Sequence, residues 1–301
     1  MNVLSLFDGM SIGRIALEKA GIKVDKYYAS EIKPHAIEVT QKNYPNNIQL
    51  GDITNWKDWN LTFKSIDLVI GGSPCQNLSG ANKERLGLEG IKSKLFYTYV
   101  DILNHIRSLN PDVKFLLENV KMPNNDKDII SMNMGVQPIN INSSTISGQL
   151  RNRLYWTNIP NVEQPADKEV LLQDILEYGY TDREKSRCLL ESDSRPLSTP
   201  VKMFHRYYST GFTTLIFKSR EHYLACKEHY DENFKGLAAK DIVCDTDVYD
   251  GVRYLSKIEL ERLQTVPCGY TDILKRNDAA CLLGDGWTVD VIAHIFKGLK
   301  L

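Results

Sequence analysis

The chain has no apolar run approaching the ~18 consecutive residues of a membrane helix, so a membrane-spanning protein is not expected. No basic segment precedes its first apolar residues, Val3 to Leu6, and Asp8 interrupts that run, so no secretion signal is read. Its six cysteines (Cys75, Cys188, Cys226, Cys244, Cys268 and Cys281) include no pair two residues apart. That removes the spacing of zinc and redox sites, and no metal is expected. A disulfide framework is not expected either, and a reducing cytoplasm fits the thiols better. An excess of one charge is missing: 37 basic and 38 acidic residues leave a net charge of −1. A polyanionic partner would therefore have to be held by a local patch. A Gly-x-Gly-x-x-Gly fingerprint is also absent, which argues against a nucleotide-dependent dehydrogenase.

What is there is ordinary for a globule. The 301 residues are 42% hydrophobic and 25% charged, enough for one large domain or two modest ones. The first ~120 residues alternate short apolar runs with helical patterns. Strands are expected at Val3 to Leu6, Tyr27 to Ser30, Ile66 to Ile70 and Lys114 to Leu117. Helices are expected at Arg14 to Ala20, Pro34 to Tyr44 and Lys94 to Arg107. Strands spaced by helices imply crossover units and a mostly parallel, doubly wound α/β sheet. Ligands bind such sheets at the carboxyl ends of the strands, so the residues just after each strand carry the interest.

Phe7, Asp8, Gly9 and Gly13 lie between a strand and a helix, where glycines admit close backbone approach and a helix N-terminus offers free N–H groups. Glu31 follows the second strand, where an acid can accept from both hydroxyls of a ribose, and Asp52 follows a third. Together these read as an adenosine-type cofactor pocket. Gly71-Gly72-Ser73-Pro74-Cys75-Gln76 follows the next strand, and a thiol in so rigid a loop is a candidate nucleophile. Glu118, in Leu117-Glu118-Asn119-Val120, emerges at the same edge. Alternation along Gln149-Leu150-Arg151-Asn152-Arg153 puts Gln149, Arg151 and Arg153 on one face of an extended strand.

In this order, Phe7-x-Gly9, Pro74-Cys75-Gln76, Glu118-Asn119-Val120, Gln149-x-Arg151-x-Arg153 and a final Gly-rich turn into a helix resemble the C5-cytosine DNA methyltransferase family of compact bacterial or phage type. The likeness runs from Leu4 to Phe296 apart from a variable block, and includes Arg262-Leu263-Gln264 with Pro267 and Gly269-Tyr270-Thr271. It implies a Rossmann-like sheet binding S-adenosylmethionine and DNA (cytosine-5-)-methyltransferase activity (EC 2.1.1.37) on a cytosine flipped from duplex DNA. Cys75 would add to C6, Glu118 would hold or protonate N3, and Arg153 would contact O2, with Asn119 and Arg151 completing the catalytic set. The cofactor set implied is Phe7, Asp8, Gly9, Gly13, Glu31, Ile32, Asp52, Ile53, Pro74, Leu95, Asp285 and Trp287. The chain departs from the family at Asn77-Leu78-Ser79, where Gly-Phe-Ser is usual, and at Asp285, where Asn is usual.

Residues 1–159 are expected to bind cofactor, 160–250 to recognise the target, and 251–301 to complete the first domain. From Ser194 to Arg220 there are five basic residues (Arg195, Lys202, Arg206, Lys218 and Arg220) and no acid, interleaved with Phe204, Tyr207, Tyr208, Phe212 and Phe217. This reads as a DNA-facing surface, to which Gln149 is added. A monomer is expected, with a separately acting restriction endonuclease as the cognate partner. The same chemistry on transfer RNA is a second reading, against which the large variable block stands. A catalytically silent DNA-binding relative is a third, against which intact Cys75, Glu118 and Arg153 stand.

Overall fold

The computed structural model describes residues 1–74, 94–189, 197, 199–211, 213–244 and 246–300. Seven strands form one sheet: β1 (Asn2–Leu6), β2 (Lys26–Ser30), β3 (Ile48–Gln49), β4 (Leu68–Gly72), β5 (Lys114–Val120), β6 (Ile139–Asn142) and β7 (Asn152–Thr157). Their order is β3-β2-β1-β4-β5-β7-β6. The first five run parallel, and β7 runs antiparallel to both β5 and β6. The fold is thus the mixed, mostly parallel α/β sheet expected. The winding reverses between β1 and β4, and the crevice outside the carboxyl ends of such strands is where open α/β sheets bind ligands.

Helices α1 (Ile12–Lys19), α2 (Pro34–Asn43), α3 (Lys94–Leu109) and α4 (Asn124–Met134) accompany these strands. The second half of the chain adds α5 (Leu172–Ile175), α6 (Pro200–Thr210), α7 (Arg220–Asn233), α8 (Lys257–Leu263), α9 (Arg276–Asp285) and α10 (Val289–Phe296). Residues 276–300 are apolar and long enough to cross a membrane by composition, but they form two helices broken at Gly286–Thr288, with mostly buried residues.

The chain divides into two compact units. The first comprises Met1–Asn142, Asn152–Ala166 and Val289–Leu301. Its core sets Leu4, Leu6, Val69, Phe115 and Leu117 of the sheet against Phe96, Tyr99 and Leu103 of α3, with Trp156 fully buried. Two of its buried polar atoms are paired: the Tyr99 hydroxyl donates to the Leu116 carbonyl at 3.1 Å, and Trp156 Nε1 donates to Ser131 Oγ at 2.9 Å.

The expected strand break at Gly71-Gly72 does not occur, since both glycines continue β4. The reason is space. A Cβ on Gly71 would lie 2.7 Å from the Leu6 carbonyl oxygen and 3.0 Å from the Tyr99 ring. Gly71→Ala must therefore push β1 or Tyr99 aside, at an expected cost of about 1–3 kcal/mol or more. Chemical denaturation should show a lower midpoint at unchanged slope.

The second unit comprises Ser143–Arg151 and Asp167–Thr288. Residues 251–288, expected to complete the first domain, belong here because their polar groups are satisfied here. Arg253 pairs with the fully buried Glu259 at 2.7 and 2.8 Å, and Glu259 also accepts from the amides of Ser256 and Glu177. Ser256 and Glu259 form a capping box that starts α8. Helices α6 and α7 enclose a core of Phe204, Tyr207, Leu215, Phe217, Cys226, Tyr230 and Tyr249. The aromatics expected to face DNA thus include Phe204, Tyr207 and Phe217 as core residues, since rings this large gain more by burial than by exposure.

Candidate active site

Loops leaving β1, β2 and β4 converge at the winding reversal. The first, Phe7 to Ser11, is built on left-handed residues: φ is 56° at Phe7, 60° at Gly9 and 55° at Ser11. Each non-glycine residue there costs about 1–3 kcal/mol and persists only where its surroundings hold it. Asp8 Oδ2 accepts from Ser11 Oγ at 2.5 Å, and Oδ1 accepts from the Tyr27 hydroxyl at 2.8 Å. Ser11 Oγ accepts from Asn47 Nδ2 at 3.1 Å and lies 3.2 Å from Thr40 Oγ1. Thr40 in turn reaches the Gly9 carbonyl at 3.5 Å.

Glu31 joins the first loop to the second. Its Oε2 accepts from the Gly9 amide, and its Oε1 accepts from the Ile32 and Lys33 amides, each at 2.8 Å. Asp52 Oδ1 accepts from the Thr54 amide at 2.8 Å and hydroxyl at 2.9 Å. Ile53 is buried, whereas Ile32 is 67% exposed. Gly13 is buried in the first turn of α1. Pro74 and Leu95 are half-buried, while exposed Asp285 and half-buried Trp287 lie in the second unit.

Asp8, also assigned to the cofactor set, has both carboxylate oxygens engaged by hydroxyls. Its carboxylate is taken up beneath the loop. Burial pushes its pKa up from 3.8 to about 6, with the Ser11, Ser5 and Tyr27 hydroxyls pulling it partly back and the Glu31 charge adding to the rise.

The third loop meets β5. Asn119, almost fully buried, donates from Nδ2 to the Ser73 carbonyl at 3.3 Å and to Ser73 Oγ at 3.1 Å. Its Oδ1 accepts from the Val120 amide at 2.8 Å. The residue before Pro74 is thereby fixed to the strand that carries Glu118. Cys75 and Asn77-Leu78-Ser79 lie outside the described residues. Glu118 pairs in register with Gly72 of β4 and with Tyr155 of β7, and Val120 faces Arg153. Arg153 Nε lies 3.0 Å from Glu118 Oε1 with both side chains mostly buried, and Arg153 also donates to the Asn152 carbonyl at 2.9 Å.

Gln149 and Arg151 do not share a strand face with Arg153. Strand β7 begins at Asn152, and Gln149 and Arg151 precede it as part of the second unit. Arg151 donates to the Gly284 carbonyl at 3.1 Å, the Gly286 carbonyl at 2.7 Å and Cys188 Sγ at 3.4 Å. Gln149 is fully buried: its Oε1 accepts from the Leu189 amide at 2.9 Å and its Nε2 donates to Gln264 Oε1 at 3.2 Å. A side chain so enclosed is a strut, which corrects its assignment as a DNA contact. Gln264 also donates to the Leu283 carbonyl at 2.6 Å and accepts from the Thr288 hydroxyl at 2.9 Å.

Lys202 and Arg206 lie half-buried one turn apart on α6, and Lys218 and Arg220 are exposed around the start of α7. Arg195 and Phe212 lie outside the described residues. Sequence reasoning missed Ser11, Thr40 and Asn47, because a single Ser, Thr or Asn carries no spacing signal, and it missed Ser73 for the same reason.

Residues 1–133 match the model of the C-5 cytosine-specific DNA methylase family. The DNA (cytosine-5)-methyltransferase DRM2 of Oryza sativa subsp. japonica is 39% identical over 120 residues, 36% of this chain and 20% of that protein. The type II methyltransferase M.NgoBV of Neisseria gonorrhoeae is 36% identical over 122 residues, 39% of this chain and 27% of that one. The matched stretch thus spans about a quarter of the length of these relatives. Among solved structures, a Spodoptera frugiperda DNMT2 mutant superposes with a TM-score of 0.68 at 19% identity, covering 100% of this chain and 99% of that one. The Entamoeba histolytica methyltransferase EhMeth superposes at 0.68 and 16% identity with the same coverage. At such identities the likeness is one of fold.

Proposed function

From the match of residues 1–133 to the C-5 cytosine-specific DNA methylase family, we propose that the chain belongs to that family and methylates C5 of cytosine in duplex DNA. The observation that carries the reading is the Glu118–Arg153 pair beside Asn119, which fixes Ser73 two residues ahead of Cys75. Cytosine C5 is a poor nucleophile. The Cys75 thiolate forms a bond to C6 and pushes the ring electrons toward N3 and C5. Glu118 holds N3 and supplies a proton to it, while Arg153 orients Glu118 and faces the O2 side. The electron-rich C5 then takes a methyl group, loses its proton to a base, and expels Cys75 as the ring closes its double bond. A duplex hides this face of the base, so the cytosine must leave the stack.

S-Adenosylmethionine supplies the methyl group. The first-unit residues fit it: Glu31 Oε1 already accepts two amides, but Oε2 accepts one and keeps a lone pair for a ribose hydroxyl, and exposed Ile32 offers an apolar face to a purine. Asp52 Oδ2, whose sister oxygen is engaged by Thr54, can accept from an exocyclic amine.

The second unit is the proposed DNA-facing part, through Lys202, Arg206, Lys218 and Arg220. Lys202 and Arg206, like charges at i and i+4, disfavour each other until an anion meets them. Replacing both with Gln is expected to flatten the salt dependence of DNA binding by up to ~2 in slope, at ~0.9 per phosphate contact. An unchanged slope in titrations from 50 to 300 mM salt removes them from the interface.

Transfer of label from tritiated S-adenosylmethionine to duplex DNA and to transfer RNA, run side by side, tests the whole reading. Label in DNA alone supports it, label in transfer RNA alone moves the chemistry to RNA, and label in neither ends it.

A further inference from the structure

Two carboxylates meet at the β1 loop, and the groups they face are hydroxyls and backbone amides. Asp8 faces Ser5 of β1, Ser11 ahead of α1, Tyr27 of β2 and, beyond them, Glu31 after β2. Glu31 faces the amides of Gly9, Ile32 and Lys33. From α1, Arg14 sits 6.0 Å from the Tyr27 ring centroid and pairs with Glu18. From α2, Thr40 reaches the loop through Ser11 and Gly9. Among the described residues, no cationic side chain forms an ion pair with Asp8 or Glu31. Left to itself, a buried carboxylate beside a second one gives up its charge by binding a proton.

The hydroxyl chain accommodates either state. With Asp8 ionised, Ser11 donates to it and Thr40 donates to the Gly9 carbonyl. With Asp8 protonated, its proton points at Ser11 Oγ, and Ser11 redirects its own hydrogen to Thr40 at 3.2 Å. The loop thus keeps its left-handed turns while its charge changes by one.

We propose that Asp8 is a specificity-determining residue of the β1 loop, whose buried charge favours the cationic sulfonium donor over the neutral thioether product. The inference rests on the reading of this loop as the S-adenosylmethionine site and adds to it a cause of discrimination. S-Adenosylmethionine and S-adenosylhomocysteine share ribose, base, ammonium and carboxylate, and differ by the methyl group and one positive charge. A fixed negative charge under the loop acts on that difference, and acts more strongly where water is excluded. Burial places the Asp8 titration near pH 6, so acid removes the charge and with it the discrimination.

The test is calorimetric titration of both ligands into the full chain, wild type and Asp8→Asn, at pH 7.5 and 5.0, with thermal melts in parallel. Asn accepts from Tyr27 and donates to Ser11, reproducing the protonated state, so the variant should fold. For the wild type, the S-adenosylmethionine Kd is expected to rise about tenfold more than the S-adenosylhomocysteine Kd on going to pH 5.0. For Asp8→Asn at pH 7.5, the donor Kd should be about tenfold above wild type and nearly independent of pH, with the product Kd within twofold.

The thermal melt separates this from a merely structural role. The Asp8 pKa is raised on folding, so its contribution to stability is complete below its ordinary value of 3.8 and is lost as pH rises through about 6. Asp8→Asn should therefore melt higher than wild type at pH 7.5, by at least ~2 °C, while binding the donor more weakly. Equal losses for both ligands, or a pH dependence that survives in Asp8→Asn, overturn the inference. A wild type that binds neither ligand overturns the cofactor reading together with it, whereas binding of both without discrimination overturns the inference alone.

Discussion

Cys75→Ser is expected to bring methyl transfer below ~1% of the wild-type rate while leaving S-adenosylmethionine affinity within twofold. A serine hydroxyl at neutral pH is a far weaker nucleophile than a thiolate, and C5 is not activated until a bond to C6 exists. The cofactor residues of β1 and β2 are untouched by the change. Glu118→Gln separates the second role. Gln can still accept from Arg153 Nε, now at 3.0 Å from Glu118, but it cannot protonate N3. Its rate should fall by about 10²–10⁴-fold. Duplex DNA carrying 5-fluorocytosine at the target should trap the wild type, because fluorine blocks the loss of the C5 proton. Cys75→Ser should give no such adduct on a denaturing gel. A covalent adduct formed by Cys75→Ser would assign the nucleophile elsewhere.

Arg253→Met should destabilise the second unit by about 3–5 kcal/mol, because it leaves the fully buried Glu259 charged and without its cation. In the wild type, burial alone would raise the Glu259 pKa. The two-pronged Arg253 bond and the amides of Ser256 and Glu177 outweigh burial and hold it below 4.5. A lowered carboxylate pKa stabilises the fold above its ordinary value, and this contribution is lost as pH falls through the folded value. Without Arg253 the sign reverses: burial then raises the pKa, and acid should stabilise the variant relative to its state at pH 7. Melts of both proteins from pH 4 to 7 read the two opposite slopes. A variant whose stability falls in acid as the wild type's does would show that Arg253 is not what holds the charge.

The sheet was legible because its strands are buried on both faces. Val3 to Leu6, Tyr27 to Ser30 and Lys114 to Leu117 are unbroken runs; the first two appear as strands of nearly that extent, and the third continues through Glu118 to Val120. Glu31, just after β2, and Glu118, near the carboxyl end of β5, could be picked out because strand ends in such folds carry the chemistry. The misreadings share a cause as well. Alternation along 149–153 cannot tell an extended strand from a buried connector, and what decides is where Arg151 finds its acceptors, more than 130 residues away at Gly284 and Gly286. A stretch with bases and aromatics but no acids looks like a nucleic-acid face. Among the described residues, Phe204, Tyr207 and Phe217 went to the core of α6 and α7, while Lys218 and Arg220 stayed exposed. Asp8 was seen as a loop acid, but its partner Tyr27 comes from β2, 19 residues away, and no local pattern links the two.

The packing of α10 on α1 has a consequence for the order in which the protein can be completed. Ile12, Ile15, Ala16 and Leu17 of α1 are buried, and α10 packs on that helix, with Lys19 paired to Asp290 across the contact. A ribosome delivers α1 before the second unit and α10 only after all of that unit has been made. Until then the apolar stripe of α1 has no lasting cover, and the emerging chain presents it to chaperones and to other nascent copies. Growth that stalls between residues 167 and 288 would leave a sheet with an open flank, the kind of species that aggregates before it can be finished.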